Sequence, residues 1–366
     1  MRALVFGTYD TSMHPRVAII AEGLRAAGLD VAESNAPLGL DTAARVDMLA
    51  RPWRAPALLG RLARRWLTLA RAARRQPAPD VVVVGYLGHF DVHLARLLFR
   101  RSPIVLDHLV GASDTGRDRR LDGGPRQAIL RLIDAAALRA AAVIVVDTDE
   151  HLAALPARHR ARAVVVPVGA PSAWLAAAGN HAGSPGPLRV VFYGLYTPLQ
   201  GSPVIGAALA KLAGSPIETT MIGNGQDLAE TRSAAAANGA VTWRDWVPAA
   251  ELPSVVAGHD VCLGIFGSGE KALRVVPNKV FQGAAAGCAI VTSDTAPQRR
   301  ALRDAAVLVP PGDPEALAAA LLHLADDRAE LARLRGSARE LAARQFAPEP
   351  VVAPLLALIA RRGGRA

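Results

Sequence analysis

Cysteine, lysine and long apolar runs are scarce in this sequence. Only two of its 366 residues are cysteines, Cys262 and Cys288, which excludes a disulfide framework and a multi-cysteine zinc site and favours a reducing compartment. No run of about 18 uncharged apolar residues occurs, so we expect no membrane-spanning helix. The first ten residues, MRALVFGTYD, are typical of a buried strand and not of a signal peptide. These absences predict a soluble cytoplasmic protein.

The positive charge of the chain is carried almost entirely by arginine. The formal net charge is +10, and the 42 basic residues include only three lysines, Lys211, Lys271 and Lys279. This balance fits both an arginine-rich background composition and an anion-binding surface. A nucleic-acid-binding function is suggested by charge alone, because no helix-turn-helix, zinc-finger or aromatic RNA-binding signature is present.

Length and hydrophobic patterning predict two α/β domains. The chain is too long for one ordinary core, and its 51% hydrophobic composition can fill two. Apolar runs alternate with amphipathic stretches, which is typical of parallel sheets covered by helices on both faces. The predicted strands of the first half are 2–6, 31–34, 80–85, 104–107, 142–146 and 163–166. Those of the second half are 189–193, 218–222, 240–243, 261–266, 289–292 and 306–309.

A segment without hydrophobic periodicity separates the two halves. Residues 176–187, AAAGNHAGSPGP, have the composition of a domain linker. After the last predicted strand, the pattern predicts helices at 314–325 and 327–345 and a final apolar helix at 351–361.

The loops that leave the carboxyl ends of the strands are the expected place for chemistry, because open parallel sheets bind ligands there. Gly194 begins the loop GLYTPLQG, and Gly223 and Gly225 lie in GNGQ after the next strand. These two glycines allow a ligand to approach the backbone, although a plain turn has the same pattern and the third glycine of a dinucleotide fingerprint is missing. In the first half, Gly7 and Thr8 follow the first strand.

The strongest anion-binding signal lies in the segment GIFGSGEKALRVVPNKVFQGAAAGCAIVTSD, which begins at residue 264. Pro277 stands where a helix would begin at Asn278, because its missing N–H costs nothing at that position. The N–H groups of a helix start beside Lys271, Arg274 and Lys279 are typical of an anion site. Solvated cations on a loop are the alternative interpretation.

Four segments are the most distinctive in the second half: YGLYTPLQG at 193–201, IGNG at 222–225, WRDWV at 243–247 and VPNKVFQGAAAGCAIVTSD at 276–294. Through these segments above all, the sequence resembles the retaining glycosyltransferases of family 4, which are also described as glycosyl transferases group 1. The resemblance extends over nearly the whole chain. The resemblance implies an α/β GT-B fold, in which two Rossmann-like, doubly wound domains face each other across a cleft. It implies an acceptor-binding domain at 1–172, a linker at 173–187, a donor-binding domain at 188–349, and a tail helix at 350–366 that packs back on the first domain.

The resemblance also assigns a donor site to the second domain. Trp246 and Val247 would lie near the base, and the amide oxygen of Gln282 would accept hydrogen bonds from the ribose. The residues expected to bind the donor, including its diphosphate, are Gly7, Thr8, Gly194, Gly223, Gly225, Trp246, Val247, Lys271, Arg274, Asn278, Lys279 and Gln282.

The sequence departs from the family pattern in two places. Leu195 and Gln200 stand where the family places an Arg and a Lys on the leaving diphosphate, and Arg274 and Gln282 replace a pair of glutamates eight residues apart. Since the leaving group needs electrostatic stabilisation, Lys271, Arg274 and Lys279 are expected to supply it.

In the first domain, His108 is the first catalytic candidate, because the family often has a histidine there that contacts the transferred sugar. His14 is the second, and a structural histidine is the alternative for both. The polar segment 112–120 would shape an acceptor site or form an exposed loop. The group DTDEH at 147–151 fits no strong metal-ligand spacing, and we expect no metal.

Residues 51–75 contain eight arginines and no acid. Leu59, Leu62, Trp66, Leu69 and Ala73 recur at helical spacing, with arginines on the other side. Such a helix lies on an anionic bilayer or covers a sheet with its apolar stripe. The first case would place the protein at the inner face of the membrane.

The sequence thus predicts a metal-independent, cofactor-free transfer of a sugar, with retention, from a nucleoside diphosphate sugar to a hydroxyl or amine. The acceptor would be a small molecule, a saccharide or a lipid-linked group. The alternatives are a nucleotide-sugar epimerase and a non-catalytic nucleotide-sugar-binding protein of the same fold.

Overall fold

A computed structural model describes residues 1–11, 15–39, 55–109, 111, 124–179 and 186–363. The chain divides into two compact units. Unit 1 comprises Met1–Pro167 and Val351–Ala366, and unit 2 comprises Val168–Pro350. Each unit contains its own parallel sheet.

The described part of unit 1 forms a six-stranded parallel sheet in the order β2-β1-β3-β4-β5-β6. Its strands are β1 (Arg2–Gly7), β2 (Asp30–Asn35), β3 (Val81–Val84), β4 (Ile104–Asp107), β5 (Val143–Val146) and β6 (Ala163–Val165). Its helices are α1 (Arg16–Ala26), α2 (Ala55–Ala73), α3 (Asp91–Leu98), α4 (Gly124–Ala140), α5 (Asp149–Ala154) and α6 (Ala157–Arg160).

Helices cover both faces of the unit 1 sheet, which explains why its central strands are continuous apolar runs. All four valines of β3 are buried. Val81 and Val83 pack with Ile19 of α1 and with Leu355 of the tail helix, and Val82 and Val84 lie in a second cluster that includes α2, α3 and α4. The apolar stripe of α2 therefore belongs to the core of this unit.

Unit 2 contains a second six-stranded parallel sheet among its described residues, in the order β12-β11-β10-β7-β8-β9. Its strands are β7 (Leu188–Tyr193), β8 (Ile217–Ile222), β9 (Val241–Arg244), β10 (Val261–Leu263), β11 (Ala289–Ser293) and β12 (Ala306–Val309). Its helices are α7 (Ser172–Ala177), α8 (Ser202–Lys211), α9 (Leu228–Ala234), α10 (Leu252–Ala257), α11 (Asn278–Ala285), α12 (Ala296–Leu302), α13 (Pro314–Asp326) and α14 (Arg328–Leu341). A 3₁₀ turn at Ala272–Arg274 and a π-helical turn at Ala342–Phe346 lie between elements, and α15 (Pro348–Gly363) ends the described chain.

Three sequence predictions differ from the observed bounds. The strand predicted at 261–266 ends at Leu263, because the Phe266 N–H leaves the sheet ladder to bond the carbonyl oxygen of Gln200. The final helix begins at Pro348 and not at 351, since proline fits the first turn of a helix. The start of the predicted linker 173–187 lies in α7, where Trp174 is buried against Tyr193.

The alternation of strands and helices places the carboxyl ends of the strands of each sheet at one edge. The predicted α/β fold class, with two doubly wound parallel sheets, is confirmed. Across the described ranges, no helix combines the length and the apolar character needed to span a bilayer.

Candidate functional site

Glycine-rich loops meet at the carboxyl edge of the unit 2 sheet. Gly194 follows β7, and Gly223 follows the neighbouring β8. The Gly194 N–H donates to the Ile222 carbonyl, and the Gly223 N–H donates to the Arg244 carbonyl. The sheet ladder thus continues into these loops and holds them at the strand ends.

The glycines of these two loops have positive φ angles and lie close to neighbouring groups. Gly223 has a φ of +119°, and a Cβ at this position would overlap the carbonyl oxygen of Gly194. Gly194 has a φ of +138°, and a Cβ there would lie 3.2 Å from the Nζ of Lys279. Gly223 therefore requires glycine for both backbone conformation and space, and Gly194 requires it for its backbone conformation.

Lys279 is brought to the glycine loops by the helix start predicted from the sequence. The chain before α11 is extended at Pro277, and Asn278 and Lys279 are the first two residues of the helix. The lysine reaches back so that its Nζ donates to the Oε1 of Gln200 at 2.6 Å. It also lies 3.7 Å from the ring centroid of Phe192, a cation–π contact.

The environment of Lys279 is unusual for an ammonium group. The residue is 4% exposed, and within the described part of the chain no carboxylate lies within 4 Å of it. Burial lowers the pKa of Lys279 from 10.5 to about 7. A buried cation without a counter-ion disfavours its own charged form, and an incoming anion would restore it.

Gln282 lies one helical turn after Lys279 and is 6% exposed. Its Oε1 accepts a hydrogen bond of 3.0 Å from the hydroxyl of Tyr193. Burial raises the pKa of Tyr193 well above its usual value, so the hydroxyl keeps its proton and donates. The Tyr193 ring stacks on Trp174 with centroids 5.7 Å apart. This packing fixes the orientation of the Gln282 amide.

The two residues predicted to lie near the base follow the edge strand β9. Trp246 is 71% exposed, whereas Val247 is buried. On the neighbouring loop, Gly225 packs its backbone against Tyr196, whose N–H donates to the carbonyl of Asn224 at 3.0 Å. An exposed indole at a strand end offers a flat surface on which a base can stack.

The other two predicted cations lie on the loop before α11. Arg274 forms an ion pair with Glu270 and is partly exposed. Lys271 precedes the 3₁₀ turn and is half-buried. The geometry thus brings Lys279 to the glycine loops, whereas the guanidinium of Arg274 is paired with Glu270.

At the carboxyl edge of the unit 1 sheet, Asp91 holds the loop after β1. Its Oδ2 accepts hydrogen bonds from the N–H and the hydroxyl of Thr8 at 2.7 and 2.8 Å, and its Oδ1 accepts one from the Trp66 indole at 2.8 Å. Gly7 has a φ of +150° and passes close to the same carboxylate. The predicted residues Gly7 and Thr8 are therefore fixed by a buried acid that the sequence analysis missed.

His108 follows β4 at the same edge. Its N–H donates to the Val145 carbonyl, and its ring contacts the ring of His89 with centroids 5.4 Å apart. The Nε2 of His89 lies 3.2 Å from the Oδ1 of Asp134, which is buried. His108 is thus packed in a polar cluster at the strand ends.

Asp147 and His151 form a local pair rather than a metal site. The Nδ1 of His151 contacts the Oδ1 of Asp147 one helical turn away, and Thr148 caps α5 by accepting from the His151 N–H. Over the described ranges, no group of three His, Cys, Asp or Glu side chains is arranged to hold a metal ion. The candidate His14 and the segment 112–120 lie outside the described residues.

The second half of the chain matches a known protein family. Residues 187–327 match the family model for glycosyl transferases group 1. This match covers less than half of the chain, and it includes the Gly194 and Gly223 loops and the start of α11. Comparison with curated proteins gives no match.

Three solved structures illustrate the structural likeness. Sucrose-phosphate synthase from Thermosynechococcus elongatus aligns with a TM-score of 0.71 and 15% identity, over 100% of this chain and 99% of that one. Anabaena HepE in complex with UDP-glucose aligns at 0.67 with 13% identity, over 100% of both chains. An α,α-trehalose-phosphate synthase (UDP-forming) from Burkholderia vietnamiensis aligns at 0.66 with 14% identity, over 99% and 100%. At these identities the likeness establishes the fold, and the expected GT-B fold is confirmed.

A fully buried ion pair of unit 1 was also missed in the sequence analysis. Arg16, at the start of α1, is fully buried, and its Nε donates to both carboxylate oxygens of Asp107 at 2.8 and 3.0 Å. Its other nitrogens donate to the carbonyl oxygens of Val166 and Pro167. The sequence did show an acid, Asp107, at the end of an apolar strand, where a buried carboxylate needs a partner. It could not identify that partner, because Arg16 is 91 residues away.

Proposed function

We propose that the protein is a family 4 retaining glycosyltransferase. It transfers a hexosyl-type sugar from a nucleoside diphosphate sugar to an acceptor hydroxyl or amine, and it needs neither a metal nor a cofactor. The observation that carries the proposal is the buried Lys279, whose ammonium lies beneath the Gly194 loop with no carboxylate partner in the described chain. The matching family model covers this same region.

The elements at this edge support the following assignment of the donor site. The diphosphate would bind at the start of α11, where Lys279 and the backbone N–H groups from Asn278 onward supply positive charge. Gln282 would bind the ribose, and the exposed Trp246 with the buried Val247 would hold the base. Lys271 and Arg274 would add charge from the preceding loop.

The contact at position 200 supports a site that uses a different lysine from the one that the family places there. Gln200 accepts a hydrogen bond from Lys279, so the ammonium from the helix stands next to the position that the family lysine occupies. Leu195, at the family's arginine position, is 65% exposed and offers no charge. We infer that Lys279 at the start of α11 supplies the positive charge that the family carries on the loop after β7.

The chemistry requires charge stabilisation rather than a paired-carboxylate mechanism. The bond between the anomeric carbon and the phosphate oxygen breaks, and the acceptor oxygen or nitrogen bonds to the same face of that carbon. The departing phosphate oxygen takes the proton of the acceptor. Protein cations stabilise the leaving diphosphate by several kcal/mol in a site that excludes water. His108 would contact the transferred sugar or the acceptor.

The donors and acceptors to test first are suggested by the similar solved structures. Two of the solved structures named above are a complex with UDP-glucose and a UDP-forming synthase. A uridine donor is therefore the first to test, with a small-molecule, saccharide or lipid-linked acceptor.

The first experiment is a thermal-shift screen of UDP, GDP, ADP and TDP and their sugars, since a ligand that binds the native state raises its stability. The selected donor is then tested for product release with an acceptor panel, with the anomeric configuration read by NMR and with a chelator present. Donor-dependent, retained product supports the proposal. Binding without product identifies a nucleotide-sugar-binding protein, and interconversion of the free sugar identifies an epimerase.

Site residues are tested by substitution. Lys271→Ala and Lys279→Ala should weaken binding of the nucleoside diphosphate far more than binding of the nucleoside, and Lys211→Ala is the matched control, because Lys211 pairs with Glu315 on the surface. His108→Ala should slow transfer by about 10²-fold and leave diphosphate binding unchanged. Equal losses for nucleoside and diphosphate would contradict the assigned role of the lysines.

A further inference from the structure

Three adjacent helices of unit 1 expose an unusual outer surface. Helices α2 and α3 pack side by side, as do α3 and α4. The Trp66 indole of α2 also donates to Asp91, the first residue of α3. The outer side chains of these helices form one continuous surface, which we call the arginine–leucine surface.

This surface combines exposed apolar side chains with arginines. Large aliphatic side chains that are at least half exposed occur on all three helices: Leu59 and Leu67 on α2, Leu97 on α3, and Ile129 and Leu132 on α4. The exposed arginines of the same helices are Arg61, Arg64, Arg65, Arg71, Arg96, Arg131 and Arg139. Such a mixture differs from an ordinary charged surface, where both signs of charge alternate.

The described outer faces of these helices contain no exposed acid. Helix α2 has no Asp or Glu at all, and the single acids of α3 and α4, Asp91 and Asp134, are buried. Within the described residues, Arg61, Arg64 and Arg65 have no carboxylate oxygen within 4 Å of their guanidinium nitrogens. On the described faces of these three helices, the arginines therefore have no exposed acid beside them.

Most of the apolar stripe predicted to insert into a membrane is not part of this surface. Leu62, Leu69 and Ala73 are buried in unit 1 and Trp66 packs against its core, whereas Leu59 of the predicted stripe is 53% exposed. Leu59 thus lies at the edge of the buried stripe, and Leu67 lies farther round the helix, among the arginines. An inserted amphipathic stripe is excluded, whereas shallow contact through exposed leucines is compatible with the fold.

A basic hollow of about 550 Å³ adjoins the surface. It is lined by His93, Arg96 and Leu97 of α3, by Arg100 and Ser102 beyond it, and by Ala140 at the end of α4. Arg96 is anchored there, because its Nη1 donates to the Ala140 carbonyl at 3.1 Å. A guanidinium held in this way can bind a phosphate group without first being ordered.

We propose that the arginine–leucine surface binds the headgroup region of an anionic lipid bilayer. Arginines attract anionic phosphates while isolated leucines enter the headgroup boundary, and arginine stems pack along apolar surface with their charge at the phosphates. A second copy of this chain is a poor occupant, because it would place arginines against arginines. This inference goes beyond the proposed activity, and its test does not involve a sugar donor.

The test is sedimentation of the full-length protein with vesicles of phosphatidylcholine alone and of phosphatidylcholine with phosphatidylglycerol. We expect binding to the anionic vesicles only. The double variant Arg64→Glu/Arg65→Glu should lose at least about 20-fold in vesicle affinity, since one basic residue near an anionic surface contributes roughly fivefold. Leu59→Ser/Leu67→Ser should also weaken binding and reduce its resistance to salt.

The matched control is Arg158→Glu/Arg303→Glu, which makes the same change of net charge at exposed residues away from the three helices. Thermal unfolding and nucleotide binding of every variant should equal those of the parent. The proposal is overturned if the parent does not bind anionic vesicles, or if the control loses as much affinity as the Arg64/Arg65 variant. Concentration-dependent self-association that depends on Leu59 and Leu67, without vesicle binding, would assign the surface to a second copy instead.

Discussion

Replacement of Lys279 by methionine should make the protein more stable and less able to bind a diphosphate. Methionine is unbranched and apolar and is one heavy atom shorter than lysine, so it removes the charge and still fills most of the buried space. Among the described residues, the partners of the ammonium are the Gln200 oxygen and the rings of Phe192 and, at 6.0 Å, Tyr193, which do not compensate for its burial. A buried residue that lowers the stability of the protein at the carboxyl ends of a sheet is expected to contribute to ligand binding.

The magnitude follows from the pKa of Lys279. A decrease from 10.5 in the unfolded chain to about 7 in the folded protein corresponds to about 5 kcal/mol of lost stability at pH 7 and below. Loss of the hydrogen bond and the cation–π contact removes about 2–3 kcal/mol of stabilisation. Lys279→Met should therefore raise the free energy of unfolding by about 2 kcal/mol at pH 7.

The sign of the pH dependence is opposite to that of a salt-bridged lysine. Between pH 7 and 10.5 the unfolded chain binds a proton on Lys279 that the folded protein does not bind. The stability of the parent attributable to this group thus rises with pH across that window and is constant below it. Because the penalty falls by about 1.4 kcal/mol per pH unit, the advantage of Lys279→Met should disappear near about pH 8.5, and the variant should be less stable than the parent at the upper end of the window.

The assay is denaturant unfolding of the parent, Lys279→Met and the control Lys211→Met at both ends of this pH window. The control removes a lysine from a surface pair with Glu315, so it should change stability by less than about 1 kcal/mol. A Lys279→Met protein that is less stable than the parent at pH 7, or whose difference from the parent does not change with pH, would refute the reasoning.

Two further predictions concern the scaffold of the sites. Gly223→Ala should destabilise unit 2 by about 3 kcal/mol or more, because its φ is +119° and a Cβ would overlap the Gly194 carbonyl. The control Gly239→Ala has open space around the added Cβ and should be nearly neutral. Similar unfolding temperatures for the two variants would contradict the close packing at Gly223. Arg16→Met should cost about 3–5 kcal/mol by leaving Asp107 buried without its partner, and adding Asp107→Leu should recover part of that loss. Additive destabilisation in the double variant would show that the pair is not coupled.

Much of the fold was predictable because the relevant information is local. The four consecutive valines of β3 and the apolar run of β4 identify strands buried on both faces. Pro277 followed by a small-residue stretch located α11, and the glycines at 194 and 223 located the turns. Boundaries were less accurate where a distant contact decides them, as at Phe266, whose N–H bonds Gln200.

The candidate site was less predictable because its properties depend on contacts between distant segments. The sequence placed Lys279 at a helix start, but it could not show that the ammonium is buried beneath Gly194 and bonded to Gln200, 79 residues away. Asp91 gave no signal as the acid that fixes Thr8, since the two are 83 residues apart. The amphipathic pattern of α2 was equally compatible with a core and a membrane, and packing alone distinguishes them.

The central claim, that the Lys279 ammonium binds the diphosphate, is tested most directly by counting protons taken up on binding. Calorimetry of UDP, or of the nucleoside diphosphate selected by the screen, is performed at about pH 8 in buffers of different ionisation enthalpy, where the parent's Lys279 is mostly neutral. We predict an uptake approaching one proton for the diphosphate, with none for the nucleoside and none for Lys279→Met. Tight diphosphate binding without proton uptake, or with the same uptake in Lys279→Met, would contradict the account.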